Sequence, residues 1–521
     1  MRRSKILILL AWIGILAFGA IPAMAEMIAD TAWVRRYNGP GNSGDWAYAV
    51  AVDDSGYAYV TGESYGGVTP ANDYMTAKYY QNGDTAWVRR YNGPGSARDA
   101  AHAIAVDASG NVYVTGESWG SGTGQDFATI KYHPNGDTAW VRRYGRAGNY
   151  DDGAYAMALD DDGNVYVTGY SFGTSINSDY LTIKYRPNGD TAWVRTYDGP
   201  GNRWDEAYAI AVDDFGNIYL TGDSWGDGTL QDYATVKYDL DGNELWAERY
   251  DGPGSGEDRT CSIAVDHSGN IYVTGQSNAS DGNDDYATIK YYPSGDTAWV
   301  RRYNGPANLD DGAFALAVDA SGNVHVTGAS VGGGIAGDYA TIKYNPSGDT
   351  LWVRRYNGPG NANDLASAVA VDDSGNVYVS GRSYGDGTSY DYATVKYDAE
   401  GNELWIQRYN GPANQYDYVY AMALDDRGNV YVAGGSMGSG TSEDYATIKY
   451  LQALRGDANG DGTIDPGDVV YLINYFFRNG PAPVPLDAGD ANSDGTVAPA
   501  DVVYLINYLF RQGPPPGGFK G

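Results

Sequence analysis

The sequence predicts an all-β fold, an eight-bladed β-propeller with four-stranded blades, followed by a small α-helical module with two EF-hand-like calcium loops. Three observations predict this architecture. A Trp-centred motif such as DTAWVRRY recurs eight times, at one step of 54 and six steps of 53 residues. The 521 residues include 72 Gly, 21 Pro and 48 Tyr, which favours strands and tight turns. After Tyr450 the repeat stops, and two similar acidic segments follow.

The charge of the chain limits its partners. With 35 basic and 66 acidic residues, the formal net charge is −31. Such a charge argues against nucleic acid and anionic membrane surfaces, and it suits cations, neutral sugars or basic partners. Cys261 is the single cysteine, which excludes an intrachain disulfide and a Cys-based zinc cluster.

The N-terminus has the pattern of an export signal. Basic residues within the first five positions precede an apolar run over residues 6–21, and the small-x-small sequence Ala23-Met24-Ala25 follows. This pattern predicts a signal peptide over residues 1–25, cut after Ala25. We therefore expect a secreted or cell-surface protein with no membrane span in its mature form.

Each repeat contains four strand-like segments, represented by AYAIAVD, NVYVTG, DYATIKY and DTAWVRRY. Their β-branched and aromatic content, separated by Asp-, Asn- and Gly-rich turns, predicts one four-stranded propeller blade for each repeat. In the first segment, Tyr48 and Val50 alternate with Ala47 and Ala49, so we expect one bulky face and one small face.

The order of the segments predicts how the ring closes. If AIAVD is the inner strand, the last DYATIKY segment lacks a following Trp strand, whereas an unpaired Trp strand opens the chain at residues 30–37. We therefore expect the N-terminal strand to complete the eighth blade. These repeated motifs resemble the SBBP family of bacterial β-propeller repeats over residues 28–450, a family described by its fold and without catalytic residues to transfer.

Two calcium loops are predicted after the repeats. An EF-hand loop places oxygen ligands at positions 1, 3, 5, 7, 9 and 12, with Gly at position 6. The first loop, DANGDGTIDPGD, offers Asp457, Asn459, Asp461, the Thr463 carbonyl, Asp465 and Asp468. The second loop, DANSDGTVAPAD, offers Asp490, Asn492, Asp494, the Thr496 carbonyl and Asp501. Ala498 occupies position 9 of the second loop, so we expect two calcium ions, the second bound more weakly.

Each loop leads into a near-identical helix, DVVYLINYFFRNG or DVVYLINYLFRQG. This tandem arrangement resembles a type I dockerin over residues 455–513, with a Pro/Gly-rich tail at 514–521. The resemblance implies docking to a cohesin-like domain on a scaffold or cell surface. It also assigns partner choice to Pro466, Gly467, Pro499 and Ala500, where many cellulosomal dockerins carry Ser/Thr pairs.

Two aspartates recur in every repeat. One set precedes the inner strand: Asp45, Asp99, Asp152, Asp205, Asp258, Asp311, Asp364 and Asp417. The other precedes the third strand: Asp73, Asp126, Asp179, Asp232, Asp285, Asp338, Asp391 and Asp444. Both sets are expected on one face of the disc, where they would form a carboxylate ring or cap backbone amides. We favour capping, because residues present in every blade usually serve the blade.

Four tryptophans depart from the repeat and are candidates for ligand binding: Trp46, Trp119, Trp204 and Trp225. They fall in loops on the same expected face. Exposed rings beside Asp and Asn suit sugars, because rings stack on C–H faces while carboxylates bind hydroxyls. Packing of the loops between blades is the structural alternative for these rings.

The sequence thus favours a secreted, non-catalytic binding or scaffold protein, whose propeller presents a face to a glycan or protein. Two alternatives stay open: a propeller glycoside hydrolase or polysaccharide lyase of a cellulosome-like assembly, and an envelope or adhesion protein. No catalytic residues are assigned. A cohesin-like partner and calcium are predicted from the C-terminal module, and a polysaccharide is a candidate ligand of the propeller.

Overall fold

The computed structural model describes residues 27–66, 71–146, 150–173, 177–254, 256–334, 336–460, 463–511 and 513–517. The predicted signal peptide lies outside these residues. Ala29–Gln452 forms one compact unit, and the described residues from Ala453 onward belong to a second. Among the described residues, no helix has the length and apolar character needed to cross a membrane.

The first unit contains eight four-stranded antiparallel sheets, as predicted. We number them as blades 1 to 8 in chain order of their inner strands. Strand β1 spans Met27–Tyr37. Blades 1 to 4 comprise β2 (Asp45–Val52), β3 (Ala58–Tyr65), β4 (Asn72–Tyr79), β5 (Thr85–Tyr91); β6 (Asp99–Val106), β7 (Val112–Trp119), β8 (Gln125–Tyr132), β9 (Thr138–Tyr144); β10 (Asp152–Leu159), β11 (Val165–Phe172), β12 (Ser178–Tyr185), β13 (Thr191–Tyr197); and β14 (Asp205–Val212), β15 (Ile218–Trp225), β16 (Gln231–Tyr238), β17 (Glu244–Tyr250).

Blades 5 to 8 follow the same order. They comprise β18 (Asp258–Val265), β19 (Ile271–Asn278), β20 (Asp284–Tyr291), β21 (Thr297–Tyr303); β22 (Asp311–Val318), β23 (Val324–Val331), β24 (Gly337–Tyr344), β25 (Thr350–Tyr356); β26 (Asp364–Val371), β27 (Val377–Tyr384), β28 (Tyr390–Tyr397), β29 (Glu403–Tyr409); and β30 (Asp417–Leu424), β31 (Val430–Met437), β32 (Glu443–Leu454). Each inner strand neighbours the inner strands of both adjacent blades, and β30 neighbours β2. The ring is therefore closed around a central axis.

The N-terminal strand supplies the missing fourth strand of blade 8, as predicted. The order of that sheet is β1-β32-β31-β30, so β1 pairs with the last strand of the propeller. Trp33 also joins blade 8 to blade 1, because its Nε1 donates a 2.9 Å hydrogen bond to the Gln81 carbonyl. The same bond recurs between other neighbouring blades, for example from Trp87 Nε1 to the Pro134 carbonyl at 3.1 Å.

The blades are held together by buried aromatic and aliphatic side chains. Tyr59 and Tyr74 of blade 1 pack in one buried cluster with Val112, Val114 and Ile130 of blade 2. Comparable clusters lie between the other blades. Burying aromatic side chains of this size stabilises each contact between blades by a few kcal/mol. Because each blade packs in this way against its neighbours, the propeller is expected to unfold cooperatively.

A β-bulge in every inner strand corrects one expectation. In blade 1 the register passes from Ala47↔Gly62 to Ala49↔Thr61, so Tyr48 is an extra residue. Ala47 and Ala49 therefore lie on opposite faces, and the prediction that they share a face is wrong. Strict alternation fails because the bulge adds a residue to one strand only. All eight inner strands carry this bulge at the equivalent position.

The second unit contains two helices, α1 (Pro466–Arg478) and α2 (Pro499–Arg511), with a 3₁₀ turn at Leu486–Gly489. Asp465 caps α1 through a capping box with Asp468, which satisfies amides at the helix start. The apolar faces of the two helices share a small core that includes Leu472 and Leu505, both fully buried. This core is small, and much of the rest of the unit consists of the acidic loops that precede the helices.

Candidate functional site

In the first acidic loop, the carboxylates accept hydrogen bonds from backbone amides of the same loop. Both oxygens of the buried Asp468 accept backbone hydrogen bonds, from Asn459 at 3.0 Å and from Asp465 at 2.8 Å. Asp457 Oδ1 accepts the Gly460 amide at 2.9 Å. These bonds fold the chain back on itself, as an EF-hand-type loop requires. Asp461, a predicted ligand, lies outside the described residues, as does the turn residue Gly462.

The second loop repeats this geometry. Asp501 accepts the amides of Asn492 at 3.1 Å and Ala498 at 2.8 Å. Asp490 accepts the amides of Asp494 at 3.1 Å and Gly495 at 3.0 Å. Burial raises the pKa of Asp501, and the neighbouring carboxylates of Asp490 and Asp494 raise it further. A bound cation would relieve this repulsion, so the donor set fits calcium, with oxygen ligands throughout.

The aspartates that precede the inner strands act as caps. Asp45 Oδ2 accepts the Gly39 amide at 2.7 Å, and its Oδ1 accepts the Tyr65 amide at 3.1 Å. Five equivalents accept two such bonds, and Asp152 and Asp417 accept one each. These carboxylates serve the loops of their own blades, in agreement with the capping interpretation.

The aspartates that precede the third strands form ion pairs with arginine instead of capping backbone amides, so the capping prediction is wrong for this set. In seven blades the partner is the second Arg of the fourth-strand motif, as in Arg90 Nη2 to Asp73 Oδ2 at 3.0 Å. Blade 3 carries Thr196 at that Arg position. There Arg146, from the loop after β9, reaches Asp179 at 2.8 Å instead. Neither ring of aspartates is therefore a set of free carboxylates.

Two positions that differ widely between blades lie at one end of the central axis. They occupy the inner-strand position after the capping Asp and its cross-strand partner on the second strand; we call this set the channel mouth. Its pairs are Trp46–Glu63, Ala100–Glu117, Gly153–Tyr170, Glu206–Asp223, Arg259–Gln276, Gly312–Ala329, Leu365–Arg382 and Tyr418–Gly435. Within an otherwise repetitive chain, positions that vary this strongly mark a candidate site.

The bulge residues line the wall next to the channel mouth. Tyr48 stacks on His102 with ring centroids 5.6 Å apart, and it meets Tyr420 at 5.4 Å. His102 meets Tyr155 at 5.7 Å, and Tyr155 stacks on Tyr208 at 5.6 Å. An arc of rings thus crosses blades 8, 1, 2, 3 and 4. Strict alternation does not predict this arc, because it assigns Tyr48 to one face of its sheet, whereas Tyr48 is the extra residue of the bulge.

The two glutamates of the channel mouth in blades 1 and 2 share one arginine as their ion-pair partner. Arg98 Nε lies 2.7 Å from Glu63 Oε2, and its guanidinium also pairs with Glu117. Tyr48 donates a 2.7 Å hydrogen bond to Glu63 Oε1. Burial works against ionisation of Glu117, but the nearby His102 and Arg98 outweigh it and lower the pKa of this carboxyl group. This corner of the channel mouth is therefore a closed network.

Two carboxyl groups of blade 4, Asp223 and Glu206, differ from Glu117 because their pKa values are raised. Burial raises the pKa of Asp223 to about 8, and the charges of Glu206 and Glu257 add to the rise. Burial also raises the pKa of Glu206, which accepts a 3.0 Å hydrogen bond from Tyr208. Arg259 pairs with Glu257 at 2.5 Å. Asp223 can thus carry a proton near neutral pH, as a general acid must.

Blades 7 and 8 carry a cluster of four tyrosines, Tyr384, Tyr390, Tyr416 and Tyr418, which we call the tyrosine platform. Tyr390 lies 5.4 Å from Tyr384, 6.2 Å from Tyr416 and 5.9 Å from Tyr418 between ring centroids. Tyr416 and Tyr418 are nearly parallel, with an interplanar angle of 15°. The guanidinium of Arg382 lies over Tyr390 and Tyr418.

The four predicted tryptophans lie on three blades, and Trp46, Trp119 and Trp225 lie in strands rather than in the loops that were predicted. Trp46 folds over Gly44 and Gly435, where a Cβ would meet its ring within 3.0 Å. The guanidinium of Arg203 lies 4.7 Å above the ring of Trp225. Trp204 is 54% exposed, and Trp119 is half-buried at the end of β7.

Family models match segments of both parts of the chain. Residues 455–510 match the Dockerin type I domain. Residues 32–67, 86–122, 139–177, 199–228 and 254–283 match the SBBP Beta-propeller repeat. The chain joins SBBP propeller repeats to a type I dockerin domain. Each SBBP match begins near the fourth strand of one blade, which carries the Trp, and ends after the second strand of the next blade. The repeat of the family model therefore starts one strand before the structural blade.

Two curated proteins are similar to parts of this chain. The regulatory protein FlaEY of Caulobacter vibrioides is 32% identical over 173 residues, covering 29% of this chain and 18% of that protein. An uncharacterized WD repeat-containing protein of Acanthamoeba polyphaga mimivirus is 24% identical over 384 residues, covering 64% and 24% respectively. The chain therefore spans about a quarter or less of the length of these relatives.

Solved structures resemble the propeller at low identity. A β-propeller domain of the Trilobed protease from Pyrococcus furiosus is 9% identical with a TM-score of 0.40, covering 69% of this chain and 96% of that one. A eukaryotic initiation factor is 6% identical with a TM-score of 0.40, covering 82% and 98%.

The dockerin assignment fixes the general character of the C-terminal unit. Type I dockerins bind calcium and dock to cohesin-type partners, and the proteins that carry them are typically extracellular or cell-surface. The four residues expected to set partner choice, Pro466, Gly467, Pro499 and Ala500, open the two helices and are exposed. The dockerin unit therefore presents them to solvent.

Proposed function

We propose that this is a secreted, non-catalytic binding protein, whose dockerin attaches it to a cohesin-bearing scaffold or surface while its propeller presents a ligand-binding face. The observation that carries the proposal is the dockerin domain that follows the closed propeller. A docking module attaches its neighbouring domain to an assembly, so the propeller is expected to contribute binding or catalysis there. The signal-like segment at residues 1–25 supports export.

Two calcium ions are proposed for the dockerin. The first would be held by Asp457, Asn459, Asp461, the Thr463 carbonyl, Asp465 and Asp468, and the second by Asp490, Asn492, Asp494, the Thr496 carbonyl and Asp501. In the second loop Ala498 leaves one ligand to water, so the second ion should bind more weakly. Because the loop carboxylates repel one another without a cation, calcium should also stabilise the two helices.

The cohesin-facing surface is proposed on the exposed faces of α1 and α2. Pro466-Gly467 and Pro499-Ala500 lie at the helix starts. Further along the same helices, Val470 and Val503 are 55% and 58% exposed, and Phe477 and Phe510 are 67% and 63% exposed. These apolar side chains recur at equivalent positions of both helices, and exposed apolar groups of this kind favour protein partners.

A polysaccharide is the proposed ligand of the propeller, with Trp46, Trp119, Trp204 and Trp225 as candidate contacts. Trp204 is exposed, and Trp225 carries the Arg203 guanidinium on its ring. Rings and adjacent hydrogen-bond donors are the groups that sugars require. The dockerin supports this proposal, since it would place the propeller beside other polysaccharide-handling proteins.

A second candidate function is a propeller glycoside hydrolase or polysaccharide lyase. The raised pKa values of Asp223 and Glu206 favour it, because burial keeps a carboxyl group protonated at higher pH, as a general acid requires. Release of reducing or unsaturated ends from polysaccharides by the full chain, abolished in Asp223→Asn, would establish this alternative. Binding without such release would support the non-catalytic proposal.

The docking proposal is tested by calorimetry of the full chain against a panel of type I cohesin domains. We expect binding in about 2 mM calcium and its loss in excess chelator, because the calcium-bound loops hold the helix starts in place. The double variant Asp468→Asn/Asp501→Asn should lose binding while the propeller keeps its thermal transition. Binding that is unchanged by the chelator would contradict the proposed role of calcium.

A further inference from the structure

We propose that the tyrosine platform, together with Arg382, forms a neutral-polysaccharide site at the channel mouth between blades 7 and 8. Tyr416 and Tyr418 would stack on the C–H faces of sugar rings, while Arg382 would donate hydrogen bonds to sugar hydroxyls. The inference rests on the proposed glycan-binding function and assigns it to residues other than the four repeat-breaking tryptophans.

The platform is unique among the eight blade junctions. Of the seven positions equivalent to Tyr416, Trp204 alone is aromatic, and of those equivalent to Tyr418, Trp46 alone is aromatic. None of the seven equivalents of Tyr390 is aromatic. Side chains that hold a blade together recur in every blade, whereas these three rings occur together at one junction. Their coincidence therefore has no role in building the repeat.

The geometry of the platform suits stacking on sugars. Tyr416 is 48% exposed, and its ring lies 5.9 Å from that of Tyr418 at 15°. Tyr390 supports both rings from blade 7 at 6.2 and 5.9 Å. Two nearly parallel, mutually supported rings hold their orientation without a ligand, so a sugar would bind with little loss of side-chain entropy.

Arg382 is held in place but lacks an acidic partner. Its Cζ lies 5.3 Å from the centroid of Tyr390 and 5.1 Å from that of Tyr418. In the described part of the chain, no carboxylate lies within ion-pair distance of its guanidinium, in contrast to Arg98 at the equivalent mouth of blades 1 and 2. Stacking on rings leaves the edge of a guanidinium available, and that edge donates up to five hydrogen bonds.

The charge around the platform favours a neutral ligand. The Arg382 guanidinium lies against two of the platform rings and can donate hydrogen bonds. The chain as a whole carries −31, which would repel a polyanion at low ionic strength. Sugar hydroxyls accept hydrogen bonds from a guanidinium and bring no charge.

The test is affinity electrophoresis of the full chain in gels containing galactomannan, xyloglucan, mixed-linkage β-glucan or polygalacturonate. We expect retardation by at least one neutral polymer, and at least tenfold weaker retardation of Tyr416→Ala/Tyr418→Ala. Arg382→Gln should weaken retardation as well. Tyr292→Ala is the matched control, because Tyr292 is 50% exposed but lies in the β20–β21 turn, away from the platform.

The outcomes separate this inference from the proposed function. Loss of retardation in Trp119→Ala/Trp225→Ala, with Tyr416→Ala/Tyr418→Ala unaffected, would overturn the platform and leave glycan binding in place. Retardation by polygalacturonate alone would overturn the neutral ligand. If no polymer retards the wild type, both glycan binding and the platform fail. Equal thermal transitions of wild type and variants would show that folding does not cause the loss.

Discussion

Arg36 Nη2 lies 2.9 Å from Asp444 Oδ2, although the two residues are 408 positions apart in the chain. The same bond joins Arg90 to Asp73 within blade 1 at 3.0 Å. The guanidinium of Arg36 also donates to the hydroxyl of Ser436, as that of Arg90 does to Ser64. The first strand of the chain is thus bound in blade 8 as a fourth strand is bound in a continuous blade.

The ring closure predicts the effect of removing Arg36. Arg36→Ala leaves the mostly buried Asp444 without its cation, so we expect the propeller to lose about 1–3 kcal/mol of unfolding free energy. Arg90→Ala is the matched control and should cost a similar amount. Urea unfolding followed by tryptophan fluorescence measures both. A cost for Arg90→Ala with none for Arg36→Ala would mean that the first strand is not paired in blade 8.

Blade 3 predicts a rescue experiment. Because Thr196 replaces the usual Arg, Asp179 depends on Arg146. Arg146→Ala should therefore destabilise the propeller by about 1–2 kcal/mol. Adding Thr196→Arg should restore most of that loss, since it recreates the ion pair of the other seven blades. Urea unfolding of the three variants measures this, and no recovery in the double variant would refute the exchange of partners.

Asp223 predicts a pH-dependent stability. Its pKa rises from 3.8 to about 8 on folding, so the folded chain keeps a proton that the unfolded chain has lost. This carboxyl therefore costs stability as pH rises from 4 to 8, by up to about 1.4 kcal/mol per pH unit. Asp223→Asn should gain stability relative to wild type between pH 5 and pH 8, as followed by thermal unfolding.

The control for this pH series is Asp107→Asn. Burial works against ionisation of Asp107, but hydrogen bonds from Asn111, Tyr113 and Ser109 outweigh it and lower the pKa. Its titration thus lies below the tested range, so its effect on stability should stay constant from pH 5 to pH 8. An equally constant effect of Asp223→Asn would contradict the raised pKa of Asp223.

The two calcium loops predict opposite effects of exchanging position 9. Ala498→Asp adds a carboxylate to the second loop and should tighten its calcium binding roughly tenfold. Asp465→Ala should weaken the first loop by a similar factor, beyond the loss of the α1 cap. Calorimetric calcium titration of the full chain resolves both changes. A single class of sites in every variant would refute the predicted difference.

The repeating parts of the fold could be predicted from sequence because the repeats act as an internal comparison. The unpaired Trp33 strand indicated the closing strand, and the spacing of Asp457 to Asp468 indicated the dockerin loop. The bulge at Tyr48 could not be predicted, because an extra residue in an inner strand leaves the sequence alternation unchanged. His102 likewise showed no metal spacing, yet the bulge places its ring between Tyr48 and Tyr155.

The tyrosine platform could not be predicted from the sequence for a different reason. Arg382 and Tyr418 lie 36 positions apart on different blades, and their contact depends on how two sheets pack side by side. The repeat does align Arg382 with Glu63 and Glu117, whose variation was visible in the sequence. A comparison of the least similar repeat positions could therefore have found the channel mouth, although not its geometry.

In the proposed function, one chain links a cohesin to a polysaccharide through its dockerin and its propeller. The most direct measurement immobilises a cohesin that binds the chain, captures the full chain in calcium, and records retention of a soluble neutral polysaccharide on the surface. We predict retention with wild type, loss with Tyr416→Ala/Tyr418→Ala, and release of chain and polymer together by chelator. Captured wild-type chain that retains no polysaccharide would contradict the claim.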